Sequence, residues 1–325
     1  MSAKRLAVFA IAAASLVTSA TVAAGDVTFY SSANSESIET VVKGFRQKNP
    51  DVNVAVVRAG TGSLMQRIKA EAANPRADVF WSGGLGTLAA YRDNFAPYES
   101  PEAKAFPPAM RGPNALWLGV NAHVTVFLVN KKALKGEPVP QTWSELFSPK
   151  WKGRIIMSNP EQSSSSYEQI WGINQLFGQA GLEALAKNVT PVSTSSAVTQ
   201  GVARGEFPVA ITLEYLAHDY IAAGAEDVEI VYPKDGILVS YIGVVLIKDA
   251  KNPGDGKRLV DFIASREGQE LVLKSNFRRP TRTDVNVSKI SKLPDLASMK
   301  TTEIDEAKAG ADYQTLLPAW KKLAR

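Results

Sequence analysis

Along most of the chain, runs of period two and period 3.6 follow one another. Val27 to Tyr30 is a short β-rich run ended by Ser31-Ser32. Ile38, Val41, Val42 and Phe45 then recur at helical spacing behind Ser35, which suits an N-cap, and Asn49-Pro50 closes that helix. Val52, Val54 and Val56 alternate as in a half-buried strand. Gly60-Thr61-Gly62-Ser63 opens a second helix over 64–73, which Pro75 breaks, and residues 77–81 form a third strand ending in Ser82-Gly83-Gly84. Strand–helix–strand–helix–strand with short polar turns predicts an α/β domain with a largely parallel sheet.

A second unit repeats this pattern. Residues 155–157 are a strand, and Ser163 to Ser166 opens a long helix carrying Tyr167, Ile170, Trp171 and Phe177. Ser193 to Ser196 caps a helix with Val198 and Val202. Residues 208–212 are a strand, Glu214-Tyr215 opens the next helix, and 228–231 is a further strand. Segments 116–118 and 124–129 between the units read as β, as does 236–247 after them. Helices follow near 259–263, 268–274 and 304–324. The order predicts one lobe interrupted by another: residues 25–125 with 240–325, and residues 126–239. The β-like crossings at 124–129 and 236–245 are then the hinges.

The first segment is of another kind. Lys4-Arg5, the apolar run from Leu6 to Val17 and the small residues Val22-Ala23-Ala24 predict a secretory signal peptide over 1–24, cleaved near Ala24. The run is short for a membrane anchor, and the chain has no cysteine to carry a lipid. An exported, periplasmic protein is expected.

Composition narrows the chemistry. The chain is 45% hydrophobic and 21% charged over 325 residues, which excludes disorder and suits two globular lobes. With no cysteine and only His123 and His218, a thiol nucleophile, a Cys-ligated metal and a multi-histidine site are excluded or disfavoured. Without Lys4 and Arg5, 35 basic residues face 32 acidic ones, too balanced to argue for a nucleic-acid partner.

In open α/β sheets ligands sit beyond the carboxyl ends of strands, where helix N-termini point. Four turns there are rich in Ser, Gly and Asn, and they supply the candidate residues Ser32, Asn34, Ser35, Thr61, Gly62, Ser63, Ser164, Ser165, Ser166, Ser195 and Ser196. Hydroxyls and free backbone N–H groups at helix N-termini suit an anion. Plain N-capping uses the same residues; two turns from each unit together point to an anion site between lobes. Gly83 and Gly84 belong to a further such turn. Glu214, at a strand end, suits an acceptor for ligand hydroxyls or an amine, or simply an acid in a first helical turn. Trp81 and Tyr215 suit stacking on a ligand ring, or core. His123 is either a cleft-facing donor or a satisfied structural histidine. The run Arg278-Arg279-Pro280-Thr281-Arg282 reads as surface charge. No Gly-Lys-Ser/Thr phosphate loop, no Gly-x-Ser-x-Gly elbow, no nucleophile–base pair and no metal cluster is present, so an exported phosphatase or transferase is disfavoured and no cofactor is expected.

Several stretches in order carry a resemblance: Tyr30 to Glu36, Ala59 to Ser63 with Arg67-Ile68, Ala77 to Trp81 with Gly83-Gly84, Trp143 with Leu146, Trp151 to Arg154, Asn159-Pro160 through Tyr167, Ser195-Ser196, Gly201 to Glu206, Tyr232-Pro233 with Gly236, and Arg279-Pro280. Over nearly the whole chain it resembles a periplasmic substrate-binding protein of an ABC importer, in the group of ferric-ion, hexose-phosphate and aminoethylphosphonate binders. The resemblance implies the type II periplasmic-binding-protein fold, an α/β fold of two lobes joined by two β-strand hinges that close on a ligand. It implies no enzymatic activity, a monomer, and an inner-membrane permease with its ATPase as partner. The hexose-phosphate binders are similar at 31–36, 163–166, 195–196 and Thr212/Glu214, which implies serine turns on a phosphate and Glu214 on hydroxyls or an amine. Ferric uptake is the alternative. The ferric binders carry two adjacent tyrosines where this chain reads Glu214-Tyr215-Leu216, so Tyr215 alone remains as an iron ligand, with a bound anion completing the coordination. A sensor subunit reporting ligand to a membrane receptor has the same sequence signature.

Overall fold

The computed structural model describes residues 25–324. The signal-peptide expectation concerns residues 1–24 and lies outside the described residues. The chain begins with β1 (Gly25–Ser31), α1 (Ser35–Lys48), β2 (Val52–Arg58), α2 (Thr61–Ala70), β3 (Val79–Gly84) and α3 (Leu85–Ala90). A short β4 (Phe95–Ala96) precedes the long β5 (Leu118–Asn130). Next come α4 (Trp143–Leu146), β6 (Ile155–Ser158), α5 (Ser164–Asn188), β7 (Val189–Val192), α6 (Ser195–Ala203), β8 (Val209–Leu213), α7 (Glu214–Ala222) and β9 (Val228–Val231). The long β10 (Ile237–Ile247) leads to α8 (Pro253–Ala264), α9 (Arg266–Asn276), β11 (Arg279–Pro280), α10 (Val287–Ile290), β12 (Thr301–Glu303) and α11 (Glu306–Leu323).

The strands run in the order β2-β1-β3-β10-β5-β8-β6-β7, with β4 and β12 on β10 and β9 and β11 on β5. β1 is parallel to β2 and β3, and β6 is parallel to β7 and β8. These two parallel groups are the repeated units read from the sequence. They are joined through β5 and β10, which are antiparallel to each other, with β10 antiparallel to β3 and β5 antiparallel to β8.

β5 and β10 each serve two cores. Leu118 and Val120 of β5, with Val244 and Leu246 of β10, pack with Phe29, Val41, Phe45 and Leu259. Val124, Val126 and Leu128, with Ile237 and Val239, pack with Ile156, Val198 and Val202. β5 changes partners between Val124, paired with β10, and Thr125, paired with β8. The sequence pattern showed β5 as two pieces because Asn121 and His123 interrupt its apolar run. It is continuous because its backbone pairs with β10 up to Val124 and with β8 from Thr125, and Asn121 donates from Nδ2 to Gln269 Oε1 at 2.8 Å within it.

Two further expectations are corrected. Ser82-Gly83-Gly84 is not a turn: it belongs to β3, where Gly83 and Gly84 pair with Gly243 and Ile242 of β10. The arginine run is not surface charge either. Arg278, Arg279 and Arg282 are 1%, 7% and 8% exposed. Arg282 is matched by Glu102 and Asp284, and Arg279 by Glu214. Buried charge is tolerated when paired, which makes the unpaired Arg278 the exception.

Candidate functional site

A cavity of about 210 Å³ lies where the carboxyl ends of the two parallel groups face each other. Ser32 and Asn34 follow β1, Arg58 ends β2 with Ala59 to Thr61 after it, and Ser82 lies within β3. Opposite them, Gln162 to Ser165 precede and open α5, Ser193 to Ser196 precede and open α6, and Leu213 ends β8 with Tyr215 and Leu216 after it. His123 of β5 completes the wall. No carboxylate lines the cavity among the described residues.

The local sequence explains these turns. Ser163 caps α5 by accepting from Ser166 N, and Thr194 caps α6 by accepting from Ala197 N. The first-turn N–H groups of both helices therefore point into the cavity region with the positive ends of their dipoles. Asn34, at the N-cap of α1, makes no cap bond; its Oδ1 instead accepts from Ser37 Oγ at 2.5 Å and from Arg278 Nη2 at 3.4 Å. The glycines after β2 permit contact across the cleft. A Cβ on Gly60 would stand 2.5 Å from the Gln162 carbonyl oxygen, and one on Gly62 would stand 2.1 Å from that of Glu161. Gly62 N donates to Gln162 O at 3.2 Å, so the two sides touch.

Of the sequence candidates, Ser32, Asn34, Thr61, His123, Ser164, Ser165, Ser195, Ser196 and Tyr215 line the cavity. The others do not. Ser35 lines a separate groove on α1, and Gly62 and Ser63 face a hollow beside α11. Ser166 is buried and donates from Oγ to Ser158 O. Gly83 packs on Phe80 and Leu88, while the amide of Gly84 donates to Ser164 Oγ at 3.1 Å. Trp81 lies in the core with its ring 6.2 Å from that of Phe29.

Glu214 is the largest departure. It is 2% exposed, and Arg279 donates to both its oxygens, at 2.6 and 2.9 Å. Tyr232 OH adds a third bond at 2.7 Å. Its lone pairs face protein groups, not the cavity.

Behind the wall stands Arg278, which the sequence reading placed on the surface. Its guanidinium lies 4.1 Å from the Tyr215 ring centroid and 5.1 Å from that of Trp81. Nε donates to Ser37 Oγ at 2.9 Å, and Nη1 has no hydrogen-bond partner among the described residues. The two rings expected to hold a ligand thus hold an arginine by cation–π contact. His123 stacks on Tyr215 at 5.7 Å, and neither ring nitrogen has a hydrogen-bond partner among the described residues. Burial and the charge of Arg278 hold the His123 pKa well below 6.5, so the imidazole is neutral. Burial also lowers the Arg278 pKa and raises that of Tyr215.

The reading from sequence missed Arg58, Ser82, Gln162 and Arg278. Arg58 and Gln162 each adjoin a turn that was identified. Ser82 carries a positive φ of 80°, a strained backbone that no residue pattern announces. For Arg278 the only signal was its place in a basic run.

Comparison with known proteins places this geometry among relatives. A family model described as "Bacterial extracellular solute-binding protein" matches residues 74–309. The solved structure of the periplasmic binding protein AfuA from Actinobacillus pleuropneumoniae, with fructose-6-phosphate bound, superposes with a TM-score of 0.86 at 29% identity, covering 92% of this chain and 98% of that one. It has the two-lobed α/β periplasmic-binding fold, and so has this chain. The major ferric iron-binding protein of Neisseria meningitidis is 26% identical over 92% of this chain and 95% of its own length. A putative 2-aminoethylphosphonate-binding periplasmic protein of Salmonella typhimurium is 27% identical over 74% of this chain and 73% of its own.

Proposed function

The chain belongs to the bacterial extracellular solute-binding protein family, and on that premise we propose that it captures a small phosphorylated or phosphonate solute. Proteins of this family are periplasmic solute-binding components of ABC transporters and not enzymes. The solute, of hexose-phosphate or aminoethylphosphonate type, sits between the lobes and is delivered to an inner-membrane permease with its ATPase. The lobes are residues 25–125 with 240–325, and residues 126–239; the exchange of β5 partners between Val124 and Thr125 supports that boundary. Closure acts by differential contact: the closed state gains ligand bonds that the open state lacks.

One observation carries the choice of an anion. Arg278 is a fully buried guanidinium with no carboxylate in salt-bridge contact among the described residues, Asp219 acting on it only from farther off, and its Nη1 has no hydrogen-bond partner among them. A buried charge needs a counterion, and the adjacent cavity offers hydroxyls, helix N-termini and Arg58 with no carboxylate of its own. An anionic solute completes that balance. The same balance weighs against ferric uptake, the alternative that the ferric-binding relatives suggest. Ferric iron wants hard anionic oxygens, and among the described residues Tyr215, held under a guanidinium, is the only such candidate at the wall.

A thermal-shift series tests the proposal. The mature protein is titrated with hexose phosphates, aminoethylphosphonate, glycerol phosphates, inorganic phosphate and ferric citrate. A ligand at 100 times its Kd stabilises the folded state by about 2.7 kcal/mol. A shift with an organophosphate or phosphonate, lost at least tenfold in affinity in Arg278→Met, is the expected result. A shift with ferric citrate alone overturns it.

A further inference from the structure

Resting on the anion reading above, we infer that the backbone of Ser82 is held strained so that its hydroxyl donates to the bound anion. Val244 and Gly243 of β10 face Trp81 and Gly83 of β3, so Ser82 is the extra residue of a β-bulge. A bulge bends its strand and re-aims a side chain. The φ of Ser82 is 80°, in the left-handed region where a Cβ is costly. Among the described residues it is the one non-glycine of that kind inside a strand, and the one that lines the cleft cavity.

Glycine would escape that cost, and two glycines follow at once. Neither of them has a positive φ. They are needed for room instead: a Cβ on Gly83 would stand 2.5 Å from Phe80 Cε1, and one on Gly84 would stand 1.5 Å from Glu168 Oε1. The chain thus carries a side chain where the backbone favours none. Three bonds from β1 and the residue after it hold the bulge. Ser31 Oγ and Ser32 N donate to the Trp81 carbonyl at 3.1 and 3.2 Å, and Ser32 Oγ donates to the Ser82 carbonyl at 2.6 Å. Strain persists where the surroundings over-determine it, and it clusters at ligand clamps. The hydroxyl that this strain presents is unused: Ser82 Oγ makes no hydrogen bond to the protein among the described residues. Its neighbours have spent their protons, Ser32 on the Ser82 carbonyl and Thr61 on Ser32 Oγ at 2.8 Å. A hydroxyl has one proton, so on this wall Ser82 is the hydroxyl left to donate. The first turns of α5 and α6 donate from the opposite wall, and an anion between them is bonded from both sides.

Two variants test this. Ser82→Ala keeps the Cβ and loses the hydroxyl; Ser82→Gly loses both. Each is titrated by calorimetry at pH 7 with glycerol 3-phosphate and with 2-aminoethylphosphonate, and each is melted without ligand. Both variants bind about tenfold more weakly than wild type, the value of one well-made hydrogen bond. Without ligand, Ser82→Gly melts roughly 1–3 °C above wild type because glycine relieves the strain, and Ser82→Ala does not. A more stable protein that binds more weakly is a result that misfolding does not produce. Wild-type affinity in both variants, or a loss confined to Ser82→Gly, overturns the inference and leaves the anion reading standing. So does a Ser82→Gly protein that melts no higher than wild type. If neither ligand binds wild type, the anion reading itself falls, and the inference with it.

Discussion

Replacing Glu214 with alanine separates the two roles that its position suggests. Arg279 donates to Glu214 at 2.6 and 2.9 Å, and the two side chains are 8% and 2% exposed. Without the carboxylate, the buried guanidinium keeps only the Pro294 carbonyl, and Tyr232 OH loses its closest acceptor. Breaking a buried pair on one side costs about 3–5 kcal/mol. With an unfolding entropy of about 2.1 cal/mol/K per residue over roughly 300 residues, that loss lowers Tm by roughly 5–8 °C. Urea unfolding followed by circular dichroism reads the free energy, and calorimetry reads Tm. Glu214→Leu with Arg279→Met removes both charges and should recover most of the loss, because the uncompensated charge is the main cost. Ligand affinity should stay within about threefold of wild type at temperatures where the variant is folded, since neither residue lines the cleft cavity. A Glu214→Ala protein that keeps its stability to within about 1 kcal/mol, yet loses ligand more than about tenfold, refutes the structural role. It would return Glu214 to the ligand.

Glu168 is 1% exposed, and burial, with the charge of Glu306 beside it, holds its pKa well above 4.5 against a hydrogen bond with Ser240; burial pushes Glu306 up to about 7. The folded chain thus keeps protons that the unfolded chain has released. Its stability falls as pH rises from about 4.5 through about 7. Glu168→Gln should flatten that fall and be the more stable protein at pH 8, and an unchanged slope in urea midpoints at pH 5, 7 and 8 refutes it. Gly84→Ala places a Cβ 1.5 Å from Glu168 Oε1. It should cost about 1–3 kcal/mol, most of it restored by adding Glu168→Ala; a neutral single variant contradicts the packing. The depressed pKa of His123 acts in the opposite sense, since the unfolded chain binds a proton that the folded one refuses. His123→Phe should lessen the loss of stability below pH 6.5, by up to about 1.4 kcal/mol per pH unit, and an acid limb identical to wild type counts against a neutral buried imidazole.

The parts of this protein legible in its sequence are those governed by near neighbours in the chain. Val52-Val54-Val56 and Ile38-Val41-Val42-Phe45 specify a strand and a helix by period alone. The turns at Ser163 and Thr194 specify helix starts, because a hydroxyl caps the amide three residues on. Two parallel groups and serine-rich cleft walls followed from that local chemistry. What the local pattern could not decide is which of two chemically similar side chains meets a partner far along the chain. Arg278 and Arg279 are adjacent, yet one pairs with Glu214 and the other lies between Trp81 and Tyr215 without a carboxylate. Glu214 and Tyr215 are adjacent too, yet only Tyr215 reaches the cavity. Successive side chains leave the backbone in different directions, and the packing of β11 against β5 sets which direction meets the cleft. The partner of Ser32 is likewise tertiary: its Oγ donates to the Ser82 carbonyl, an acceptor 50 residues away.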